Sequence, residues 1–331
     1  MKRIVSFFGE HSEVFEELNE RTRKYALSKD IEYMWHSQED FNQEEVVKDL
    51  QNSEAGLIDI EPYGEDIFKQ LGDRCKLLIR FGVGFDKVDL NAATKYGLCI
   101  TRTTGANSMS VAEMALSMIV ALRRQHVVNR ATVNSGVWTK NIGNETYGKT
   151  IGIIGFGATG QRLAKLLTGF DCNILVYDPY PNKKLIEKYN AKLAEIDEIF
   201  AQCDAISIHV PYCPETHMLA NEDRLRMMKS NAVIVCTARG NIVDEEALYK
   251  VLKEKKIGGA GLDVYSEEPL PASSPLTTLD NVILTPHVAS QTYEALWATY
   301  KKAIDIMDDF YNGRELLKSD LLNPEYKENI K

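Results

Sequence analysis

Residues 149–178 read KTIGIIGFGATGQRLAKLLTGFDCNILVYD, and this stretch decides the fold of the chain. A β-branched apolar run passes directly into the glycine loop GFGATG at 155–160. A helical pattern follows, with Gly169 where a C-terminal cap is expected, and a second β-rich run over 174–177 ends at Asp178. The pattern predicts a strand, a tight turn, a helix and a second strand, which together are the core of a doubly wound α/β fold.

Each glycine of this loop has a role that a dinucleotide site requires. Gly155 permits the tight turn, Gly157 lets backbone amides approach a pyrophosphate, and Gly160 lets the helix pack closely on the strand. The phosphates then lie at the helix N-terminus, where unpaired N–H groups attract negative charge. Asp178 follows Gly160 by 18 residues, where a carboxylate accepts hydrogen bonds from ribose hydroxyls and repels a 2′-phosphate. An ordinary glycine-rich turn is the alternative, but every part of the unit has the required spacing, which predicts NAD as the cofactor.

Length and composition exclude several classes of protein. The 331 residues are enough for two domains, and the net charge of −9 argues against a nucleic-acid partner. The first residues, MKRIVSFFGEHSE, lack the apolar core of a signal peptide, and the longest apolar helical stretch, 111–122, is too short to cross a bilayer. The six cysteines show no zinc-binding spacing, so we expect no metal and no disulfide framework. We therefore expect a cytoplasmic protein without a membrane partner.

Strand and helix patterns alternate over residues 1–103, which is typical of a parallel sheet covered by helices. Strands are predicted over 4–8, 31–35, 55–58, 77–80 and 98–101, with helices over 14–25, 44–50, 65–71 and 90–96. The segment RFGVGFD at 80–86 follows a strand and contains spaced glycines, so its backbone can present amides to an anion. An ordinary glycine turn explains this segment equally well.

The alternation continues after Asp178. Ser110 and Glu113 fit a capping box that begins a crossover helix, and residues 134–148 fit a surface loop. Further strands are predicted over 205–210, 232–236, 261–265 and 282–285, with helices over 195–201, 222–228, 244–255 and 292–311. About six strands in all fit a Rossmann sheet. The tail after residue 311 is too short for another domain, so we expect it to pack on one already formed.

Polar residues follow several of these strands, and parallel strands bring their carboxyl ends to one edge of the sheet. Arg239, Glu268 and His287 form a workable set for reducing a 2-keto acid with NADH. Arg239 can fork onto the substrate carboxylate or polarise the keto oxygen, and His287 can protonate that oxygen. A carboxylate from Glu268 beside the ring would favour its protonated form. From the residues alone, ordinary alternatives remain: Arg239 can cap a helix, and Glu267 and Glu268 can be a solvated pair.

Several long motifs closely resemble the D-isomer-specific 2-hydroxyacid dehydrogenase family, which includes phosphoglycerate, D-lactate, hydroxyisocaproate and glyoxylate/hydroxypyruvate enzymes. They are GFGATG…VYD, CDAISIHVPYCPETHMLA, NAVIVCTARGNIVDEEAL, GLDVYSEEP and NVILTPHVASQT. RFGVGFDKVDL and GANSMSVAEMAL also match, so the resemblance runs from about residue 77 to residue 297. The order and spacing of these motifs make the resemblance specific.

The resemblance implies roles for individual residues. It places the family's arginine on Arg239, its glutamate on Glu268 and its acid/base histidine on His287. It also places the substrate carboxylate on the backbone amides of Val83 and Gly84, which favours the anion-binding interpretation of their loop. Contacts with NAD carry over to Ala158, Thr159, Asp178, Val210, Pro211, Thr216, Thr237, Ala238, Arg239 and Asp263.

The resemblance also implies a domain map. A flavodoxin-like α/β substrate domain is discontinuous, formed by residues 1–103 and 291–331, and the NAD-binding Rossmann domain, residues 104–290, is inserted into it. The active site is then expected in the cleft between the domains, which closes to exclude water. Members of the family commonly pair through the cofactor domain, so we expect a homodimer.

We therefore expect an NAD-dependent D-2-hydroxyacid dehydrogenase that transfers hydride reversibly between NADH and a small 2-keto acid. The phosphoglycerate dehydrogenase-like and the hydroxypyruvate/glyoxylate reductase-like types both fit. Because the sequence ends at residue 331, we expect no C-terminal regulatory domain of the kind found in long phosphoglycerate dehydrogenases. The side chains expected to select the substrate are Glu61, Pro62, Tyr63, Arg80 and Trp297.

A non-enzymatic, NAD(H)-sensing corepressor of the same fold is the alternative function. The complete catalytic set and the absence of disordered flanks favour the enzyme. Formate dehydrogenase is another relative, but that branch carries Gln at the position of Glu268. Phosphonate oxidation is a further, less favoured reaction.

Overall fold

The structure is a computed structural model that describes residues 1–37 and 41–329. The chain divides into two compact units: the first contains Met1–Asn107 and Thr292–Lys331, and the second contains Ser108–Gln291. The strands are β1 (Lys2–Ser6), β2 (Ile31–Trp35), β3 (Ala55–Ile58), β4 (Leu77–Arg80), β5 (Cys99–Arg102), β6 (Thr150–Ile154), β7 (Asn173–Tyr177), β8 (Ala191–Leu193), β9 (Ala205–Ile208), β10 (Val233–Cys236), β11 (Gly259–Leu262) and β12 (Val282–Leu284). The α-helices are α1 (Glu13–Leu27), α2 (Gln43–Gln51), α3 (Glu65–Phe68), α4 (Leu90–Lys95), α5 (Ser108–Arg123), α6 (His126–Asn134), α7 (Ala158–Leu167), α8 (Lys183–Lys188), α9 (Ile196–Gln202), α10 (Glu222–Met227), α11 (Glu245–Lys253) and α12 (Tyr293–Tyr311).

The first unit is built on a five-stranded parallel sheet in the order β2-β1-β3-β4-β5. This is the flavodoxin-like order, as predicted. Every residue of β3 and β4 is buried, which explains why these strands read as continuous apolar runs. The C-terminal tail covers the exposed edge of the sheet: Leu321 bridges Thr101 of β5 in antiparallel register.

Helix α12 belongs to the first unit and packs against α1. Tyr300 of α12 is fully buried, and its hydroxyl donates to the Phe8 carbonyl at 3.1 Å. Trp297, named above as a candidate for substrate selection, lies under the Arg21 guanidinium, 4.0 Å from the ring centre, and contacts Tyr25 of α1 edge to face. The contacts of this indole are thus with the neighbouring helix.

The second unit is built on a seven-stranded parallel sheet in the order β12-β11-β10-β9-β6-β7-β8. Counted along the chain within this unit, the order is that of a Rossmann sheet with one further strand at the β12 edge. Buried clusters line both faces of the sheet, one containing Phe200 and Leu248 and the other Ile119 and Leu163. The Rossmann fold was predicted correctly, whereas the short strand β8 was missed.

Two predicted helix ends are wrong. Helix α5 begins at Ser108, so Ser110 lies inside it, and its hydroxyl donates to the Ala289 carbonyl at 2.7 Å instead of capping the helix. Gly169 lies within a short 3₁₀ turn, and the left-handed residue that ends this turn is Asp171, with φ of 50°. None of the helices in the described ranges combines the length and apolar character that a membrane span requires.

Candidate active site

The glycine loop joins β6 to α7 in the second unit. Gly155 has φ of +95°, and a Cβ atom there would lie 2.7 Å from the carbonyl carbon of His209. A Cβ on Gly160 would lie 2.2 Å from the Gly155 carbonyl oxygen. Glycine is therefore required at both positions, at Gly155 for the turn and at Gly160 for close packing of helix and strand.

Gly157 differs because a Cβ atom there would meet no atom within 4 Å. It precedes α7, and no side chain caps this helix end. The first amides of α7, on Ala158, Thr159 and Gly160, have no carbonyl one turn earlier within the helix to bond. Open space in front of unpaired amides is what a bound pyrophosphate needs.

Asp178 holds the other side of this loop. One of its carboxylate oxygens accepts from the Phe156 amide at 2.7 Å, and the other accepts from the Tyr180 amide at 2.8 Å. Each oxygen retains a lone pair for a ribose hydroxyl. The carboxylate is thus held in place by backbone donors beside the loop.

Residues after β9 and β10 lie at the same carboxyl edge. Thr216 accepts from the Cys213 amide and donates to the Pro211 carbonyl, both at 2.8 Å, so it closes the turn that follows Val210. The Thr237 hydroxyl, just after β10, is buried and has no hydrogen-bond partner among the described residues. A buried hydroxyl left unpaired is costly, which fits a ligand that pairs with it. The loop, Asp178 and Thr237 together suit a dinucleotide.

His209 follows β9 directly and lies against Gly155. Its Nε2 atom lies 2.9 Å from the Ser207 hydroxyl. Burial lowers the pKa of His209 to about 4, so this ring is uncharged at neutral pH.

Glu268 and His287 are brought together by the turns after β11 and β12. A Glu268 carboxylate oxygen lies 2.8 Å from His287 Nδ1, and the second oxygen accepts from the Tyr265 amide at 3.0 Å. Both side chains remain partly exposed, with 36% of Glu268 and 46% of His287 accessible. An accessible ring with one nitrogen already engaged can exchange a proton with a ligand through the other. Glu267 is exposed beside this pair.

Asp263 holds the turn that carries His287. Its carboxylate is fully buried and accepts from the Thr285 hydroxyl, from the Val288 amide at 2.9 Å and from the Ala289 amide at 2.8 Å. His287 itself has a left-handed φ of 54°, which is strained for a non-glycine residue. The three bonds to Asp263 help to stabilise this conformation.

Arg239 follows β10, beside the turn of Glu268. Its Nη1 donates to the Ala238 carbonyl at 2.6 Å, and the side chain is half-buried. A Cβ on the next residue, Gly240, would lie 1.8 Å from the Tyr265 carbonyl oxygen. The Arg239 loop therefore packs directly on the segment whose amide holds Glu268.

Val83 and Gly84 lie in the first unit, in the loop that follows β4. Gly82 has φ of +104°, and its amide donates to the Thr103 hydroxyl at 2.8 Å. Sequence reasoning did not identify a role for Thr103 in the first unit or for Tyr265 in the second. Both lie just after strands, and that position is the signal that points to them. In the described ranges, no three His, Cys, Asp or Glu side chains converge as a metal site requires.

Residues 116–289 match the family model described as "D-isomer specific 2-hydroxyacid dehydrogenase, NAD binding domain". The chain is 39% identical to a glyoxylate reductase of Thermofilum pendens over 262 residues, which are 77% of each protein. It is 42% identical to a D-3-phosphoglycerate dehydrogenase of Methanocaldococcus jannaschii over 226 residues, which are 67% of this chain and 43% of that protein.

Solved structures are similar along almost the whole chain. A D-2-hydroxyisocaproate dehydrogenase superposes with a TM-score of 0.87 at 25% identity, covering 97% of this chain and 99% of that one. A D-lactate dehydrogenase from Lactobacillus jensenii, solved with NAD+, gives a TM-score of 0.82 at 27% identity, covering 95% of this chain and 98% of that one.

Proposed function

Because the chain belongs to the D-isomer specific 2-hydroxyacid dehydrogenase family, we propose that this NAD-dependent oxidoreductase reduces glyoxylate or hydroxypyruvate. The observation that carries the proposal is the Glu268–His287 pair, 2.8 Å apart at the sheet edge where the glycine loop lies. An acid/base histidine oriented by a carboxylate is the group that this chemistry needs.

The cofactor is held by the residues of that edge. NAD, when bound, supplies or accepts the hydride. The amides at the start of α7 take the pyrophosphate, the Asp178 carboxylate takes the adenosine ribose, and Thr237 gains the partner that it lacks. The remaining contacts with NAD are assigned to Gly155, Gly157, Val210, Pro211, Thr216 and Ala238. The Asp263 carboxylate acts indirectly, because it accepts hydrogen bonds from the backbone of the turn that carries His287.

His287 moves the proton and Arg239 holds the substrate. During reduction His287 donates a proton from Nε2 to the keto oxygen, because Nδ1 is engaged by Glu268. In the reverse direction the same nitrogen removes the hydroxyl proton, and Glu268 keeps the ring oriented throughout. Arg239 forks onto the substrate carboxylate or stabilises the charge that develops on the keto oxygen. The amides of Val83 and Gly84 are a second candidate group for binding a substrate carboxylate.

Acidic residues after β3 favour a substrate that carries no phosphate group. Ile58 at the end of β3 pairs with Arg80 at the end of β4. Asp59 and Glu61, which follow β3, therefore lie near the start of the loop that contains Val83. Asp59 lies 3.4 Å from Arg80, and burial raises the pKa of its carboxyl to about 6. Arg80 offsets the charge of Asp59, and the negative charge that remains on Glu61 disfavours a substrate phosphate and suits a neutral substituent, such as the hydroxyl of hydroxypyruvate. The alignment over 77% of a glyoxylate reductase supports the same choice.

The second candidate substrate is 3-phosphohydroxypyruvate, which the 42% identity to a D-3-phosphoglycerate dehydrogenase favours. The two are separated by measuring kcat/KM for glyoxylate, hydroxypyruvate, pyruvate and 3-phosphohydroxypyruvate while following NADH oxidation. We expect kcat/KM for hydroxypyruvate or glyoxylate to exceed that for 3-phosphohydroxypyruvate by about tenfold or more. The reverse ranking would assign the phosphorylated substrate. NADH binding without turnover of any acid would refute the enzymatic proposal and favour a sensor.

We also propose that the protein is a cytoplasmic homodimer that pairs through the second unit. Helix α6 has no buried residue, and a short helix needs a packed face to be stable. The following loop exposes 82% of Trp138 and 89% of Ile142. A second copy would cover these side chains. Sedimentation analysis should give twice the mass of the chain, and Trp138→Ser with Ile142→Asn should shift it toward the monomer; a monomeric wild type would contradict the proposal.

A further inference from the structure

The end of strand β5 contacts the backbone of the loop at Val83 and Gly84. Thr103 donates its amide to the Gly82 carbonyl at 3.0 Å, and its hydroxyl lies 3.2 Å from the same oxygen. Arg102 donates from Nη1 to the Val83 carbonyl at 3.4 Å. The Gly82 carbonyl thus points toward the end of β5, and the Val83 carbonyl points toward the Arg102 guanidinium.

The planar trans peptide converts this into a statement about the amides. Within each peptide group the C=O and N–H bonds point in opposite directions. The Val83 amide therefore points away from Thr103, and the Gly84 amide points away from the Arg102 guanidinium. Nothing in the described part of the chain accepts a hydrogen bond from these two amides. Two adjacent amides left without an acceptor are available to bind an anion.

Arg102 is itself fixed on three sides. Its Nε donates to the Ser319 carbonyl at 3.1 Å, and its guanidinium lies 5.4 Å from the centre of the Phe85 ring. Its backbone amide donates to the Asp320 carbonyl at 2.9 Å. The Thr104 hydroxyl donates to the Ser319 carbonyl at 2.8 Å, so the C-terminal tail is anchored at the same point. The guanidinium therefore has little freedom to leave the Val83 carbonyl.

We infer that Arg102 is a positioning residue for the substrate: held by the C-terminal tail, it fixes the Val83–Gly84 peptide so that the Gly84 amide faces the substrate carboxylate. This inference rests on the proposed function, because it takes the loop as the carboxylate site. Arg102 acts through the peptide and makes no contact with the reacting atoms. It thereby gives the tail at Ser319 and Asp320 a part in substrate binding.

The test compares Arg102→Met and Arg102→Lys with the matched surface variant Arg314→Met. Arg314 lies on the same C-terminal segment but pairs with Asp308 and Asp309. For each variant, KM and kcat are measured with hydroxypyruvate. The Kd values of NADH and of oxamate in the presence of NADH, together with thermal stability, are also measured. Oxamate carries the carboxylate and carbonyl of a 2-keto acid and is not reduced, so its binding does not depend on turnover.

We expect Arg102→Met to raise KM and the oxamate Kd about tenfold, with kcat changed less than about threefold and NADH affinity unchanged. Arg102→Lys should recover part of the loss, since a lysine ammonium can reach the Val83 or the Ser319 carbonyl but not both. Arg314→Met should match the wild type. Wild-type oxamate affinity in a folded Arg102→Met protein would overturn the inference. So would an equal loss of NADH affinity, which would indicate a general structural effect. If Arg102→Met does not fold, an unchanged KM in Arg102→Lys would overturn it.

The proposed function and this inference fail separately. If the wild type binds oxamate but reduces none of the keto acids, the proposed function fails, and the oxamate comparison still decides the role of Arg102. If it neither binds oxamate nor reduces a keto acid, both fail. If the wild type is active and the variants bind oxamate normally, only the inference fails.

Discussion

The substitution Gly160→Ala should weaken both the fold of the second unit and the binding of NADH. The added Cβ would lie 2.2 Å from the Gly155 carbonyl oxygen, whereas real Cβ contacts essentially never fall below 3.0 Å. Helix α7 and the glycine turn must therefore separate by at least 0.8 Å. The opposing atom is backbone and cannot rotate away.

Two opposing effects set the magnitude. Overpacking of this kind costs about 1–3 kcal/mol, and alanine returns up to about 1 kcal/mol through its higher helix propensity. The net loss of stability is then about 1–2 kcal/mol, or a fall in Tm of roughly 2–8 °C for a unit of this size. NADH affinity should fall by about tenfold or more, because the displaced amides at the start of α7 no longer meet the pyrophosphate.

Gly157→Ala is the matched control, because its Cβ meets no atom within 4 Å. It should leave the Tm of the apoprotein near the wild-type value and still reduce NADH affinity, since its methyl group occupies the space assigned to the pyrophosphate. Thermal melts without cofactor and fluorescence titrations with NADH measure both quantities. Wild-type stability in Gly160→Ala, or wild-type NADH affinity in Gly157→Ala, would refute this account of the loop.

Three further substitutions test other parts of the account. Asp59→Asn should flatten the pH dependence of stability. In the folded wild type the pKa of Asp59 is about 6, above the ordinary 3.8, so the folded state keeps this proton at a pH where the unfolded state has lost it. The unfolding free energy of the wild type should therefore fall by roughly 2–3 kcal/mol as the pH rises from about 4 to 6. Urea denaturation across that range measures the slope, and an unchanged slope in the variant would contradict the assignment. Glu268→Gln keeps a polar partner for His287 but removes the charge, and should lower kcat by about 10- to 100-fold with NADH affinity retained; a wild-type kcat would exclude this role. Asp263→Asn presents an amide to the donors of the 285–289 turn, and should cost about 2–3 kcal/mol in unfolding free energy and reduce kcat; a stable, fully active variant would show that the turn does not depend on this carboxylate.

The local patterns of the sequence predicted most of the fold. The strands over 31–35, 55–58 and 77–80 match the observed ones: 55–58 and 77–80 are short buried runs, and 31–35 buries Ile31 and Tyr33 on one face. The glycine loop was also identified, since the roles of Gly155 and Gly160 follow from spacing along one short segment.

Elements with weak local signals were missed. Strand β8 has three residues of which two are exposed, so it is too short to show a period, and α6 buries none of its residues. Ser110 fits a capping box on paper, but its hydroxyl bonds to Ala289, which is 179 residues away in the chain. A tertiary contact of this kind overrides the local preference.

The residues of the candidate site also fall into those that the sequence identified and those that it did not. Arg239, Glu268 and His287 were identifiable as polar residues after strands, and the resemblance assigned their roles. The buried bonds of Asp263 and the contact of Arg102 with Val83 depend on side-chain directions and on segments far apart in the sequence. No spacing rule encodes them.

The most direct test of the central claim is the stereochemistry of the product. Purified protein is incubated with NADH and hydroxypyruvate, and the glycerate formed is resolved by chiral chromatography, with His287→Gln as the control. We expect the wild type to form D-glycerate alone and the variant to form almost none while still binding NADH. Formation of L-glycerate, or equal conversion by the His287→Gln protein, would contradict it.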